Sequence, residues 1–73
     1  MAHPDRLIRS QLRSSIVVTL LSEETFDGVL VEADDTHVIL ANAFALAPNG
    51  DRVPVEGRLW LPRLGIAYMQ QTK

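Results

Sequence analysis

The side chains that could carry out chemistry lie mostly in one stretch of the sequence. This stretch holds Asp34, Asp35 and His37, and the nucleophile candidates nearest to it are Ser14 and Ser15. Carboxylates and an imidazole can act as acid and base, but catalysis also needs an activated nucleophile, a bound phosphate or a metal. The chain has no Gly-x-Ser-x-Gly sequence, no phosphate-binding loop and no metal-ligand spacing. We therefore predict no enzymatic activity and no catalytic residues.

Metal ions and cofactors are not expected either. The chain has no cysteine, and its two histidines, His3 and His37, lack the paired spacing of a structural zinc site. A chain of 73 residues has room for one domain with one core. Such a domain is marginally stable unless a disulfide, a metal or a partner subunit adds stability. Because 47% of the residues are hydrophobic, we predict that copies of the chain associate and bury apolar surface between them.

Charge is distributed unevenly along the chain, although the formal net charge is only −2. Residues 1–13 carry +2 and residues 52–73 carry +3, whereas residues 14–51 contain seven acids, no lysine and no arginine. An acidic middle segment is a poor surface for phosphate groups. Any contact with nucleic acid must therefore come from the two ends of the chain.

Arginines near the start of the chain follow helical spacing. Between residues 5 and 13, Arg6, Arg9 and Arg13 fall on one side and apolar residues on another, which predicts a short helix. A helix of about nine residues is marginal alone, so it must pack against the rest of the domain. On one face of a ring, these arginines would form a basic belt that could bind nucleic acid; the alternative is an ordinary solvated helix face.

The remainder of the chain has the pattern of β-strands separated by tight turns. Gly28 lies inside the second strand, where a glycine usually marks a bend or the close approach of another backbone. Pro54 cannot donate a backbone hydrogen bond, so we expect the fourth strand to be interrupted until about Gly57. The prediction is one mainly β domain over residues 1–73, with a barrel in about 15–70 and five strands near 16–21, 25–33, 37–47, 52–61 and 66–70.

No part of the sequence has the pattern of a membrane segment. No apolar run approaches the roughly 20 residues that span a bilayer, and residues 1–14 mix arginines with single apolar residues. We expect a cytoplasmic protein that has no membrane partner and no small-molecule substrate.

The middle of the chain resembles the first motif of the Sm-like (LSm) proteins. That motif has a glycine, an apolar residue two positions on, an aspartate six positions on and then an apolar strand. The matching residues here are Gly28, Leu30, Asp34 and the strand 38–40. In length and apolar register the stretch is more similar to the bacterial Hfq branch than to the eukaryotic branch, which has asparagine at the position of Val38.

The second motif of that family is matched less well. The final turn reads Pro62-Arg63 in place of the family's arginine–glycine or lysine–histidine pair. Small Sm-like proteins of bacteriophages depart from the cellular pattern in similar ways, and we expect this chain to resemble those. The resemblance as a whole covers about residues 5–70.

This resemblance implies both an architecture and a function. The fold would be a short N-terminal α-helix followed by a five-stranded, strongly bent Sm-like (SH3-like) barrel, and copies would form a pentameric, hexameric or heptameric ring. In this family, single-stranded RNA is held around the pore by the turn between the second and third strands and by the final turn. By position, the corresponding residues here are Asp35, Thr36, His37, Val38, Pro62 and Arg63.

Other roles for these residues remain open. Asp34 and Asp35 would repel phosphate, and Thr36 cannot stack on a base as an aromatic side chain does. Asp34 could instead order the turn through backbone hydrogen bonds, with Arg63 paired to it. His37 could simply be a partly exposed strand residue.

Two functions are therefore compatible with the sequence. The first is a ring that binds RNA or another single-stranded nucleic acid, and the second is a structural or protein-interaction ring that binds none. The first motif and the arginines Arg6, Arg9 and Arg13 favour the first, which is the function we expect, whereas the acidic middle segment and the missing pore residues favour the second. Trp60 and Tyr68 do not decide between them, because we expect both in the core or at a subunit contact.

Overall fold

Strands make up most of residues 8–72, which are the residues that the computed structural model describes. They are connected by tight turns, and a single turn of 3₁₀ helix, Arg63–Gly65, separates the last two. The strands are β1 Ser15–Leu20, β2 Thr25–Ala33, β3 His37–Leu46, β4 Arg52–Pro54, β5 Leu59–Pro62 and β6 Ile66–Gln71.

Local sequence explains where the strands begin and end. In β1, buried Ile16 and Val18 alternate with more exposed neighbours, as expected for a strand with one face on the core. Between β3 and β4, the Asn49 side-chain oxygen accepts a hydrogen bond of 3.0 Å from the backbone N–H of Asp51. Gly50 there has a φ of 95°, which glycine adopts at little cost. This chemistry turns the chain back on itself and places β4 beside β3.

All six strands belong to one antiparallel sheet. The order is β4-β3-β2-β1-β6, and β5 also pairs with β3, beside its first residues, while β4 lies beside its last residues. Among residues 8–72 the sheet is not closed, so β6 forms one edge and β4 with β5 forms the other.

The core lies on the inner face of this curved sheet. Val18, Leu30, Val38 and Leu40 are completely buried there, and Leu61 of β5 covers them from the side. No polar or charged residue among the described residues is buried. The interior is therefore held by apolar packing, although one side-chain oxygen, Oε1 of Gln11, is also buried.

A close backbone contact bends the middle of the β2–β3 hairpin. The register of the two strands shifts between Asp27 and Val29, where Gly28 alone lies opposite a two-residue bulge of β3, Asn42 and Ala43. A Cβ atom at Gly28 would lie 3.1 Å from the backbone oxygen of Ala41 and 3.2 Å from the Cα of Ala43. The expectation that this glycine permits a close approach is therefore confirmed.

The predicted fold class is wrong in two respects. The helix expected over 5–13 is not found: Ile8 and Arg9 are helical, but residues 10–13 form turns, and residues 5–7 lie outside the described part of the chain. The N–H of Arg13 donates a 2.6 Å hydrogen bond to the carbonyl of Leu30, and Arg13 has a φ of 69°. Because a helix this short is not stable alone, these contacts with β2 determine the conformation of the segment instead.

The number of strands and the closure of the barrel also differ from the prediction. The fourth strand is divided into β4, which ends at Pro54, and β5, which begins at Leu59, and the sheet therefore has six strands instead of five. The interruption expected before about Gly57 is present, although Pro54 itself is paired with Phe44 and the N–H of Val55 still donates to the carbonyl of Ala43. The sheet is open, with unpaired outer edges on β6 and on β4 and β5. Separately, no helix in the described part of the chain is long and apolar enough to cross a membrane.

Candidate nucleic-acid interface

The turn between β2 and β3 is organised by one carboxylate. Oδ1 of Asp34 accepts hydrogen bonds from the backbone N–H groups of Thr36 and His37, both at 2.8 Å. It also accepts one from the Thr36 hydroxyl at 3.1 Å. The predicted role of Asp34 in ordering this turn is confirmed, and the turn presents Asp35, Thr36 and His37 in fixed positions.

These hydrogen bonds change the acidity of Asp34. The backbone N–H groups of Thr36 and His37, followed by the Thr36 hydroxyl, stabilise the ionised form and lower the pKa of the Asp34 carboxyl below its ordinary value. The carboxylate is therefore charged across the physiological range. Its oxygen Oδ1 accepts hydrogen bonds from three donors of the turn, the two backbone N–H groups and the Thr36 hydroxyl.

The 3₁₀ helix before β6 is attached to this turn. The backbone N–H of Arg63 donates to the carbonyl of Thr36 at 2.8 Å, and Nη1 of Arg63 donates to the carbonyl of Asp34 at 2.6 Å. Arg63 thus contacts the backbone of Asp34. The expected pairing with the Asp34 carboxylate stays a prediction. The two turns predicted to act together are adjacent in the structure.

His37 links this turn to an aromatic side chain on β5. Its Nδ1 lies 3.0 Å from the Thr36 hydroxyl, and its ring meets the ring of Trp60 edge to face, with centroids 6.1 Å apart. Trp60 is 63% exposed, so of the two places expected for it the core is excluded, and the subunit contact stays a prediction. The strand pattern contained the signal, since Trp60 alternates with buried Leu61 and shares a face with Pro62.

The N-terminal arginines occupy different places relative to this turn. Arg9 is exposed and lines a shallow, open groove together with Ala33 and the turn residues Asp34, Asp35 and Thr36. Arg13 is also exposed, but its backbone is hydrogen-bonded to β2 at Leu30. Arg6 lies outside the described residues. The structure therefore brings Arg9, Asp35, Thr36, His37 and Arg63 to one end of the sheet.

Another arginine, Arg52, lies away from this end, and its contacts were not predicted from the sequence. Arg52 of β4 makes two hydrogen bonds to the carboxylate of Asp27, at 3.0 and 3.2 Å, and its guanidinium lies 4.0 Å from the centre of the Phe44 ring. These contacts join β2, β3 and β4 across their outer face. Because its charge is paired with Asp27, Arg52 contributes to the sheet and is a weak candidate for binding phosphate.

Solved structures of archaeal proteins share this arrangement of strands. The SmAP1 heptamer of P. aerophilum matches with a TM-score of 0.88 and 14% identity, covering 100% of this chain and 97% of that chain. The Pyrococcus abyssii Sm protein, solved in complex with a uridine heptamer, matches with a TM-score of 0.84 and 24% identity, covering 97% and 100%. This chain has an Sm-like fold. The resemblance drawn from the first motif is thereby supported at the level of the fold.

The Sm-like fold also occurs outside those proteins. A chain of the NatC complex, solved with CoA bound, matches with a TM-score of 0.77 and 16% identity, covering 90% of this chain and 84% of that one. No protein-family model and no curated protein matches the sequence. The assignments to the Hfq branch, to a bacteriophage and to the cytoplasm stay predictions.

Proposed function

We propose that this chain forms a homo-oligomeric Sm-like ring that binds single-stranded RNA and has no catalytic activity. The observation that carries the proposal is the attachment of the Arg63 turn to the Asp34 turn, on a fold shared with an Sm protein solved with a uridine heptamer. That attachment places hydrogen-bonding groups, an imidazole and arginines at one end of the sheet. Single-stranded RNA offers the matching chemistry of phosphates and exposed bases.

The edges of the sheet support assembly into a ring. Three large apolar side chains on edge strands are more than half exposed: Val53 of β4 at 53%, Trp60 of β5 at 63% and Tyr68 of β6 at 57%. Exposed apolar edge strands attract further strands, and a soluble protein usually protects them. We propose that β6 of one subunit pairs with the β4 and β5 edge of the next, which would close a pentamer, hexamer or heptamer. The match to the P. aerophilum heptamer supports such a closed assembly.

Within this proposal, each residue of the turn has a distinct role. Arg63 and Arg9 would attract phosphate, while His37 and the Thr36 hydroxyl would contact bases or sugars. Asp35 is exposed, and its backbone and carboxylate would contact the amino and imino groups of bases instead of phosphates. Arg6 and Arg13 would add charge at longer range.

The proposal is tested by titrating fluorescently labelled U-rich and A-rich oligoribonucleotides with the protein at low and moderate salt. We expect binding by at least one of the two RNAs, with an affinity that falls steeply as salt increases, because several arginines displace counterions. Light scattering on the same samples should give a mass that is a multiple of 8.1 kDa. Absence of RNA binding at low salt would contradict the RNA-binding part of the proposal.

Charge-matched variants separate this end of the sheet from the rest of the surface. Arg63→Gln and Arg9→Gln each remove one positive charge near the turn, and Arg58→Gln removes one from an exposed position in the segment before β5. We expect the first two to weaken RNA binding by about five- to tenfold and to lower the salt dependence, and Arg58→Gln to have a much smaller effect. Changing Arg6, Arg9 and Arg13 together to glutamine should abolish binding while the ring persists, since exposed charges contribute little to folding.

A second candidate is a protein-interaction ring that binds no RNA. It is favoured by the segment 14–51, which has seven acids and no base, and by the occurrence of the same fold in a chain of the NatC complex. Under this alternative the arginines are solvated surface residues. If the protein forms a ring but binds neither the U-rich nor the A-rich RNA at low salt, this alternative replaces the first proposal.

A further inference from the structure

The tip of the β3–β4 hairpin carries an asparagine that is followed by a glycine. Asn49 and Gly50 are both exposed, and a Cβ atom at Gly50 would have no neighbour within 4 Å among residues 8–72 beyond the adjoining residues of the chain. Because glycine has no side chain, nothing shields its backbone nitrogen from the carboxamide of Asn49. Asparagine is among the residues that are chemically least stable in proteins. The hairpin tip therefore combines a labile carboxamide with an accessible backbone nitrogen.

We propose that Asn49 is a site of spontaneous deamidation, and that its conversion to isoaspartate detaches β4 from the sheet. The deprotonated backbone nitrogen of Gly50 forms a bond to Cγ of Asn49, the bond from Cγ to Nδ2 breaks, and ammonia leaves with the proton that Gly50 lost. Water then opens the five-membered imide at either of its carbonyl groups, which gives aspartate or isoaspartate. The reaction needs water and no oxidant or reductant.

Hydrogen bonds of the folded turn slow this reaction. The N–H of Gly50 donates to the carbonyl of Ala47 at 2.9 Å, so the loss of its proton would break that bond. The carboxamide is held as well, because Oδ1 of Asn49 accepts from the N–H of Asp51 at 3.0 Å and its Nδ2 donates to the Asp51 carboxylate at 3.2 Å. The reaction therefore proceeds through the opened hairpin, and its rate follows the population of the open form.

The short strand β4 makes this opening easy. It consists of Arg52–Pro54, all three residues are exposed, and none of them belongs to the buried core. Segments with few buried contacts open at a low cost in free energy. Asn42, the other asparagine of the chain, is followed by the buried Ala43 and lies within β3, which has paired strands on both sides. Asn42 should therefore stay intact while Asn49 reacts.

Isoaspartate would change the course of the backbone at the hairpin tip. Its main chain runs through the side-chain carbon, so the turn gains one backbone atom. Two hydrogen bonds close the turn, from Gly50 to Ala47 at 2.9 Å and from Ala47 to Asp51 at 2.8 Å, and the lengthened turn cannot keep both. Since β4 is held by only three residue pairs, the loss of this closure releases it together with the Arg52–Asp27 ion pair.

The reaction is tested by peptide mapping with mass spectrometry on the protein incubated in mildly alkaline buffer. We expect the peptide with Asn49 to lose ammonia and to separate into aspartate and isoaspartate forms, while the peptide with Asn42 stays unchanged. In urea, which opens the hairpin, the reaction of Asn49 should be at least about tenfold faster. An Asn49 that stays intact as long as Asn42 would overturn the proposal, and equal rates in buffer and urea would overturn its control by the hairpin.

The effect on β4 is measured by amide hydrogen exchange after isoaspartate has accumulated. The N–H of Val55, directly after β4, donates to the carbonyl of Ala43 at 2.9 Å, and in the isoaspartate form it should exchange at least about tenfold faster than in the parent. Asn49→Asp is the matched control, since it has the charge of the product, an ordinary backbone and an oxygen that accepts from the N–H of Asp51. Its Val55 N–H should exchange at nearly the parent rate. If isoaspartate leaves this exchange unchanged, or if Asn49→Asp accelerates it equally, the added backbone atom does not detach β4 and that part of the proposal is wrong.

Discussion

At the scale of single residues, the most consequential feature is the hydrogen-bonded carboxylate of Asp34. Its pKa is lowered by the N–H groups of Thr36 and His37, so the ionised form is favoured in the folded chain. A group with a lowered folded-state pKa contributes stability above its ordinary pKa of about 4 and loses it as the pH falls through the lowered value. The turn should therefore weaken only in strong acid.

Asp34→Asn tests this pH dependence. The amide oxygen can accept the same hydrogen bonds without a charge, so at pH 7 the variant should melt at a lower temperature than the parent, and the difference should shrink below pH 4. Asp34→Ala, which accepts no such bonds, should melt lower than Asp34→Asn at pH 7. A carboxyl that titrates at or above its ordinary pKa by NMR would contradict the argument.

Sequence reasoning located this turn but could not supply its exact contacts. Aspartate before Thr and His commonly orders a turn through its own backbone, and this general tendency sufficed for Asp34. The bond from Arg63 to the carbonyl of Asp34 depends on distances of a few ångströms between segments 29 residues apart, which the sequence does not contain. For Trp60 the sequence left the core and a subunit contact open, because an aromatic residue on a strand is common in both, and only the exposure in the structure excludes the core.

At the scale of elements, the bulge in β3 lies opposite Gly28 and depends on the absence of a side chain there. A valine would place its Cβ 3.1 Å from the backbone oxygen of Ala41 and 3.2 Å from the Cα of Ala43. We expect Gly28→Val to destabilise the fold by about 3 kcal/mol or more. The melting temperature should then fall by at least about 10 °C, because each kcal/mol corresponds to roughly 4–8 °C.

Gly65→Ala is the matched control for this prediction. A Cβ at Gly65 would lie 3.6 Å from Cγ of Pro62, an ordinary van der Waals distance. Its melting temperature should therefore stay within a few degrees of the parent. A soluble Gly28→Val variant with an unchanged melting temperature would show that the close approach at the bulge does not limit stability.

The outer face of the sheet offers a second test at this scale. Arg52 binds Asp27 with two hydrogen bonds and stacks on Phe44, a combination that lysine cannot reproduce. Because Arg52 is half exposed, we expect Arg52→Lys to cost only about 0.5–1 kcal/mol, measured by denaturant unfolding. Arg58→Lys, the same exchange at an exposed position, should leave stability unchanged; equal effects for both variants would argue that the stacked pair contributes nothing.

The strands were predictable where local chemistry dominates. β2 has the predicted bounds, because Thr25 to Ala33 is rich in β-forming residues and is followed by an aspartate-ordered turn. The helix over 5–13 was predicted from the spacing of its residues alone. That spacing contains no information on the hydrogen bond from the backbone N–H of Arg13 to the carbonyl of Leu30. The conformation of a short segment depends on such tertiary contacts, which explains why the helix prediction was wrong.

At the scale of the whole molecule, the small core and the unpaired edges of the sheet both favour association between copies of the chain. Among residues 8–72, eight hydrophobic residues are buried, while Leu21, Val53, Trp60, Leu64 and Tyr68 are all more than half exposed. The composition predicts that apolar surface is hidden between subunits, and the topology favours the edge strands as its place, since they carry Val53, Trp60 and Tyr68. The number of subunits depends on the angle between neighbours, which a single chain does not determine.

The proposed joint is tested by placing a charge on one edge strand. Tyr68→Lys introduces an ammonium on β6, where lysine is a common means of blocking edge pairing. The side chain is 57% exposed in the single chain, so the circular dichroism spectrum should be unchanged while light scattering shifts from the ring toward the 8.1 kDa monomer at micromolar concentration. Leu64→Lys, at a side chain that is 94% exposed on the 3₁₀ helix and not on an edge strand, should leave the ring intact. A Tyr68→Lys ring as stable to dilution as the parent, or a parent that is monomeric, would mean that these edges are not joined in solution.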